Sequence, residues 1–356
     1  MNVFIMALEP IESRYTCEWF DFLPNRIKSF MEENNVEGNV FNIIGEQRNS
    51  IATEGAFLNF IDTNFWKNTQ VNEIVSKFAS GEIKNGDKFI FTDAWHPGII
   101  QIKYMSSLTG IDVEIHSIWH AGSYDQNDFL GRHFDKSWSY NFERSLFAAS
   151  TKNYFATKYH SALFKNTLDG FENQIFKEKS VVCGLPFDYL KERIHISNVK
   201  KEDIILFPHR ISTEKQPEIF RDLAGELPEY EFIICQEKNL SKLEYHELLK
   251  RSKMVFSCNL QETLGISCYE GLLAGCVPLV PDRLSYFEMY PDEVKYPSEW
   301  TCNQLNYQEY KEQLKSRIRS IMSSYDEFFN ENKNKLEESL DKFFNSNKML
   351  INIFND

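Results

Sequence analysis

The sequence predicts an α/β protein of two domains, each a parallel sheet with helices on its faces, followed by a group of C-terminal helices. Three observations predict it. Short apolar runs that end in turn residues alternate with helix-length stretches, which is the pattern of βαβ units. At 356 residues the chain is too long for one ordinary core and suits two. A polar segment, "NVKKED" at 198–203, separates the first set of alternations from a second.

The opening "NVFIMAL" (2–8) has no basic segment before it and no small-residue cleavage site after it, so it reads as a first strand and not as a signal peptide. Further strands are expected at 39–44, 87–93, 112–120, 153–158 and 179–184, with helices over 15–34, 69–80, 97–108, 136–149 and 159–168. These make a first domain over residues 1–196. The second, 197–304, has strands at 203–210, 230–236, 253–259 and 276–281, separated by helices at 215–226, 242–251 and 266–275. Residues 305–345 place Phe, Leu, Ile and Met at helical spacing among many charges, and the 305–356 segment is expected to pack back across the domains. No run approaches the roughly 18 unbroken apolar residues of a membrane helix.

Composition narrows the class. Apolar residues make up 42% of the chain, enough for two cores, and the net charge is −13. Such an acidic protein gains nothing from the long-range field of a polyanion. Residues 1–150 carry 20 acidic and 12 basic side chains, whereas 151–200 carry 5 and 8. The lysines of that basic strip (Lys152, Lys158, Lys165, Lys177, Lys179) read as a solvated helix face or as a phosphate contact. Seven scattered cysteines without a CxxC pair read as small buried residues of a reducing cytosol, which places the protein in the cytoplasm.

The stretch "ETLGISCYEGLLAGCVPLVP" (262–281) carries the chemistry. It follows the strand "KMVFSCN" and supplies a loop, a helix and the next strand. Gly265 stands where the chain turns into the helix, and its missing Cβ allows a phosphate to approach the amides of Ile266 and Ser267 at the positive end of the helix dipole. Glu262 precedes that turn and is expected to face a cleft, while Glu270 lies about one helical turn further in, where a carboxylate suits a diol. Upstream, "FPHRISTEK" (207–215) ends another strand and carries Arg210 and Lys215, two fixed cations of the kind a departing diphosphate needs. Without a ligand, Glu262 and Glu270 read as solvated residues, and Arg210 as a salt-bridge partner of Glu214 or Glu262.

This constellation, Arg210 and Lys215 followed by two glutamates eight apart and then Gly271, Ala274, Gly275, Pro278 and Val280, resembles the nucleotide-sugar domain of retaining glycosyltransferases of the GT-B kind, glycosyltransferase family four in particular. The resemblance is strong over 207–281 and weak elsewhere. It implies two Rossmann-like domains face to face, with a ligand beyond the carboxyl ends of the strands. It implies that Glu270 holds the ribose, that Glu262 lies by the donor sugar, and that Arg210 and Lys215 bind the diphosphate with Gly265, Ile266 and Ser267 beside them. Family members also place a histidine after the strand matched by 112–120; His120, before Ala121-Gly122-Ser123, fits that role, whereas His116 inside the strand reads as a core residue.

The first loop, "ALEPIESRYT" (7–16), lacks the glycines the family has there. Glu9, Arg14 and Thr16 are therefore expected on the acceptor side, joined by Asp93 and Trp95 of "TDAWHPG" (92–98). "CGLPFD" (183–188) resembles the family's hinge. No Asp-x-Asp occurs, and no Cys/His cluster has zinc spacing, so neither a metal nor another cofactor is expected beyond the nucleotide-sugar co-substrate.

The reading is retaining transfer of a sugar from a nucleotide diphosphate to an acceptor hydroxyl. The chain resembles glycosyltransferases of large tailed phages, which implies hydroxymethylated phage DNA as acceptor and a host cytoplasm as location. The first half loosely resembles the tRNA-queuosine mannosyltransferase type. DNA, tRNA, a glycan and a lipid all stay open, as do a nucleotide-sugar 2-epimerase and a non-catalytic sugar-nucleotide binding protein.

Overall fold

Two parallel sheets organise the chain, and each is built from the apolar runs that the sequence alternates with helices. The computed structural model describes residues 1–12, 14–48, 59–169, 173–195 and 199–355. The first unit comprises Met1–Pro186 together with the residues from Ser346 onward, and the second is Phe187–Asn345. The junction expected between 196 and 197 falls on residues outside those described.

In the first unit the order is β1 (Asn2–Met6), α1 (Tyr15–Glu33), β2 (Asn39–Ile43), α2 (Phe60–Ala79), β3 (Lys88–Phe91), α3 (Gly98–Thr109), β4 (Glu114–Ile118), α4 (Phe129–His133), α5 (Lys136–Ala149), β5 (Lys152–Phe155), α6 (Lys158–Thr167), α7 (Asn173–Lys179) and β6 (Ser180–Val182). The sheet runs β2-β1-β3-β4-β5-β6, and its pairs are parallel. Phe4 on β1 sits opposite Phe41 and Phe89 in register, and the three rings stack at 5.3 and 5.1 Å. Phe91, Trp119, Phe147, Phe155 and Phe164 extend this core across the sheet. Helix α2 begins nine residues before the expected helix at 69, because the Asn59 side chain caps it by accepting from the Ile61 and Asp62 amides.

The second unit runs α8 (Leu190–Arg193), β7 (Glu202–Phe207), α9 (Pro217–Glu226), β8 (Glu231–Ile234), α10 (Lys242–Arg251), β9 (Ser252–Phe256), α11 (Ile266–Leu273), β10 (Val277–Pro281), α12 (Tyr286–Met289), β11 (Lys295–Tyr296), α13 (Gln304–Ser323) and α14 (Tyr325–Asp341). A last helix, α15 (Asn347–Phe354), belongs to the first unit. The second sheet is β11-β10-β9-β7-β8, again parallel, and β11 is a two-residue edge strand without a counterpart among the expected strands. Gly271 lets α11 lie close on this sheet, since a Cβ there would come within 2.6 Å of Val255.

Both sheets share one topological feature. After β1 the chain adds β2 on one side and then β3 on the other; after β7 it adds β8 and then β9. Each sheet therefore has a switch point, at the carboxyl ends of β1 and β3 and of β7 and β9, where open α/β sheets bind ligands. All seven cysteines are thiols outside any disulfide. Among the described residues, no helix is long and apolar enough to cross a membrane.

Candidate active site

In the second unit the loops after β7 and β9 leave the sheet side by side and are bonded to each other. The Leu260 amide donates to the Glu214 carbonyl at 2.7 Å. Lys215 ends a short 3-10 turn and is buried; its ammonium donates to the Gln261 carbonyl, to Gln261 Oε1 at 3.3 Å and to Glu262 Oε2 at 3.3 Å. Arg210 donates to Glu214 Oε1 at 2.9 Å, and the Ser212 hydroxyl shares that oxygen at 2.7 Å.

Glu262 turns one carboxylate oxygen into its own loop and the other towards Lys215 of the neighbouring loop. Oε1 accepts from the amides of Thr263, Leu264 and Gly265 at 3.1, 3.4 and 3.0 Å. Oε2 receives the Lys215 ammonium and the Asn259 side-chain Nδ2, each at 3.3 Å. Burial pushes this carboxyl upward in pKa, but Lys215 and the Leu264 and Gly265 amides outweigh it, and the group stays below the ordinary carboxylate range.

Gly265 caps α11 at φ +78°, a left-handed conformation natural to glycine, and a Cβ would stand 2.8 Å from the Tyr286 ring. Ile266 and Ser267 open the helix, so their amides have no carbonyl one turn back. Glu270 is buried further along α11 and receives the Tyr245 hydroxyl of α10 at 3.2 Å. Arg210, Lys215, Gly265, Ile266, Ser267, Glu262 and Glu270 thus lie on the two switch-point loops and the helix that follows. Two cations, helix-start amides and a carboxylate further along match a diphosphate joined to a diol.

Three supporting residues were not singled out in the sequence. His209 is buried beside Arg210, with Nδ1 3.4 Å from both Asn259 Nδ2 and Ser267 Oγ. Burial, reinforced by Lys215, lowers its pKa to about 3 and keeps the imidazole neutral. The Asn259 side chain joins this ring to Glu262 and to the Tyr286 hydroxyl, 3.2 Å away. Arg283 clamps the loop backbone through the carbonyls of Cys258, Asn259 and Ser298 at 2.7, 2.7 and 2.8 Å.

In the first unit the equivalent loops are also bonded together: Leu8 N donates to Thr92 Oγ1 at 2.8 Å. Glu9 is buried against the Thr63 hydroxyl at 3.3 Å, and burial raises its pKa. Thr16 accepts from the Ile11 amide at 3.3 Å, and Arg14 occupies the N-cap of α1. Asp93 forms a 2.8 Å ion pair with Lys67 of α2 and accepts from the Trp95 amide at 3.1 Å. Burial opposes its ionisation, yet Lys67 and the Trp95 amide hold it below the usual range. Trp95 packs among Phe134, Phe142 and Trp138, so its ring contributes to the aromatic core of this unit.

His120 Nε2 lies 2.7 Å from the Thr92 carbonyl, which requires that nitrogen to carry the proton. Nδ1 then accepts from the Tyr15 hydroxyl at 3.3 Å, with Tyr15 and Trp19 packed around the ring. Burial lowers the His120 pKa. His116 bonds Tyr154 at 2.9 Å within the core. In the basic strip, Lys179 donates to the Ala148 and Ser150 carbonyls at 2.6 and 2.7 Å and Lys165 to Asn173, while Lys158 and Lys177 are exposed. Among the described residues, no group of three or more His, Cys, Asp or Glu could hold a metal ion.

Over its whole length the fold is similar to solved GT-B glycosyltransferases. Sucrose-phosphate synthase from Thermosynechococcus elongatus superimposes with a TM-score of 0.60 at 10% identity, covering 99% of this chain and 97% of that one. WaaG, a glycosyltransferase of lipopolysaccharide biosynthesis, gives 0.54 at 14% identity with 100% of both chains covered. The catalytic domain of starch synthase IV from Arabidopsis thaliana, bound to ADP and acarbose, gives 0.53 at 9% identity over 96% of this chain and 99% of that one. The α/β, two-domain GT-B fold expected from the sequence is therefore the fold observed. A curated relative, the tRNA-queuosine alpha-mannosyltransferase of Drosophila melanogaster, is 29% identical over 119 residues, which span 26% of this chain and 32% of that protein. No family model matches the chain.

Proposed function

We propose that this protein is a glycosyltransferase of the family-four kind that moves a sugar, with retention, from a nucleotide diphosphate to an acceptor hydroxyl. The observation that carries this reading is the convergence, at the β7/β9 switch point, of Arg210, Lys215 and the start of α11, with Glu270 further along the same helix. In this reading the diphosphate lies against the two cations and the Ile266 and Ser267 amides, and Glu270 accepts from the ribose hydroxyls. As the bond from the sugar to the diphosphate breaks, these groups stabilise the charge that develops on the leaving oxygen. An oxocarbenium-like centre forms, and the acceptor hydroxyl attacks from the face the diphosphate leaves, giving its proton to the departing diphosphate oxygen. Glu262 holds Lys215 and the turn into α11, and His120 of the first unit is the histidine that the family resemblance assigns to the donor sugar.

The proposed acceptor hydroxyl belongs to a modified nucleobase. Hydroxymethylated phage DNA is one source. The curated relative, named for alpha-mannosyl transfer to queuosine of tRNA, favours a tRNA nucleoside as the second reading. The net charge of −13 and the backbone bonds of Lys179 count against a phosphate backbone as the main handle on the acceptor. The test incubates the protein with UDP-, GDP-, ADP- and CMP-sugars and either hydroxymethylated duplex DNA or queuosine-containing tRNA, followed by nucleoside mass spectrometry and NMR of the new anomeric centre. A mass gain of one sugar with unchanged anomeric configuration supports the proposal. An inverted product refutes retention. Sugar isomerisation without an acceptor replaces the proposal with an epimerase.

A further inference from the structure

Glu143 belongs to no motif, yet it is fully buried on α5, within the inward stripe Ser139–Glu143–Leu146–Phe147. Its Oε1 accepts from Trp95 Nε1 at 2.9 Å and from the Ser123 amide at 2.7 Å, and its Oε2 from the Ser123 hydroxyl at 2.7 Å. Only glycine fits at position 122: a Cβ would lie 2.2 Å from Glu143 Oε1 and 2.8 Å from Trp95 Nε1. One carboxylate therefore ties the loop after β3, which carries Asp93 and Trp95, to the loop after β4, which carries His120. Three donors aimed at two oxygens form a site built for a carboxylate, since a buried charge persists only where hydrogen bonds replace its water.

We propose that Glu143 is a positioning residue for His120: by fixing the Gly122–Ser123 turn against the Trp95 loop, it sets where the imidazole stands. Its importance for catalysis rests on the reading of His120 as a sugar-side group, but the coupling itself does not. The charged and titratable groups around it are Asp128 and Tyr124, and Tyr124 in turn feels Asp125, Asp128 and Asp93. Tyr124 is in turn bonded to His160 of α6 at 2.6 Å. Burial raises the Glu143 carboxyl to about 7, against the downward pull of Ser123 and Trp95. On protonation the Trp95 and Ser123 N–H groups still only donate, and of the three partners only the Ser123 hydroxyl can turn round to accept. The tie is therefore tightest in the ionised form.

The test is side-chain nitrogen NMR of the full chain from acid to alkaline pH, in wild type, Glu143→Gln and Ser123→Ala. The Trp95 indole is assigned with Trp95→Phe and the His120 ring with His120→Asn. In wild type, the Trp95 and His120 signals are expected to shift together with a midpoint near the Glu143 value of about 7. Glu143→Gln removes that step, and both variants displace the His120 signals at fixed pH. Unchanged His120 signals in the folded variants overturn the proposal, and Ser123→Ala decides the matter if Glu143→Gln fails to fold. In a transfer assay, Glu143→Gln should lower kcat by about 10- to 100-fold with little change in donor KM, the scale of a small misplacement of a reacting group. A wild type that transfers no sugar refutes the proposed function alone, because the NMR shifts decide the coupling without turnover.

Discussion

The two units repeat one topology and fill its switch point differently. After β7 and β9 the second unit presents Arg210, Lys215 and the first-turn amides of α11, and its carboxylates Glu214 and Glu262 hold those cations in place. After β1 the first unit's loop, residues 7–16, contains no glycine; Trp66 and Gln70 of α2 reach in and donate to the Ala7 carbonyl, each at 2.9 Å. Polar groups on and around these loops pair with one another, Lys67 with Asp93, Tyr15 with His120 and Ser123 with Glu143. The same strand order thus carries two cations beside a helix start in one unit and an aromatic-packed pair of loops in the other. Topology selects where a ligand binds, and side chains select which ligand.

The contrast breaks most directly at the cations. Arg210→Ala and Lys215→Ala should each raise the barrier to transfer by about 2–4 kcal/mol, as loss of one oxyanion donor does; steady-state kcat is the measurement, and a loss of under about fivefold in both would refute the assignment. Acid stability comes next. The His209 pKa lies near 3 in the fold against an ordinary value of 6.5, so stability is intact above 6.5 and falls as pH drops from there towards 3. Between pH 7 and 5 the loss is about 2 kcal/mol. Urea titrations of wild type and His209→Asn at both pH values should show a shallower fall in the variant, and equal slopes would contradict a buried neutral imidazole.

Gly265→Ala should cost about 1–2 kcal/mol of stability from its left-handed backbone alone, with more from the Tyr286 contact; thermal unfolding reads it, and a neutral substitution would mean the turn relaxes. Smallest is Glu270→Ala, which should raise donor KM about tenfold with kcat nearly unchanged, the worth of one charge-assisted hydrogen bond. A kcat effect exceeding the KM effect would move Glu270 from binding into the chemical step.

Much of this was legible in the sequence. Apolar runs such as "FIIC" and "MVFS" allow few alternatives to a buried parallel strand, and six strands of the first unit and four of the second lie where expected. The residues proposed for the donor could be singled out because they are local, carried on two loops and one helix within 207–281. Residues that reach a site across space were not. Lys67 lies in the amphipathic α2, Arg283 in a loop beyond β10 and Glu143 in "YNFERSLF", where a charge resembles ordinary solvated helix surface. Glu143 did leave a signal: it shares the stripe of Ser139, Leu146 and Phe147, and a carboxylate on an inward face needs partners. His209 was hidden for the opposite reason, since a histidine beside an arginine at a strand end reads as another polar loop residue.

The central claim is that the β7/β9 switch point holds a nucleoside diphosphate. Calorimetric titration of UDP, GDP, ADP and CDP into wild type and into Arg210→Ala tests it most directly. One nucleotide that binds the wild type, with affinity at least about tenfold lower in the variant, is the predicted result. Equal affinity in both proteins, or no binding of any of the four to a folded wild type, would contradict it.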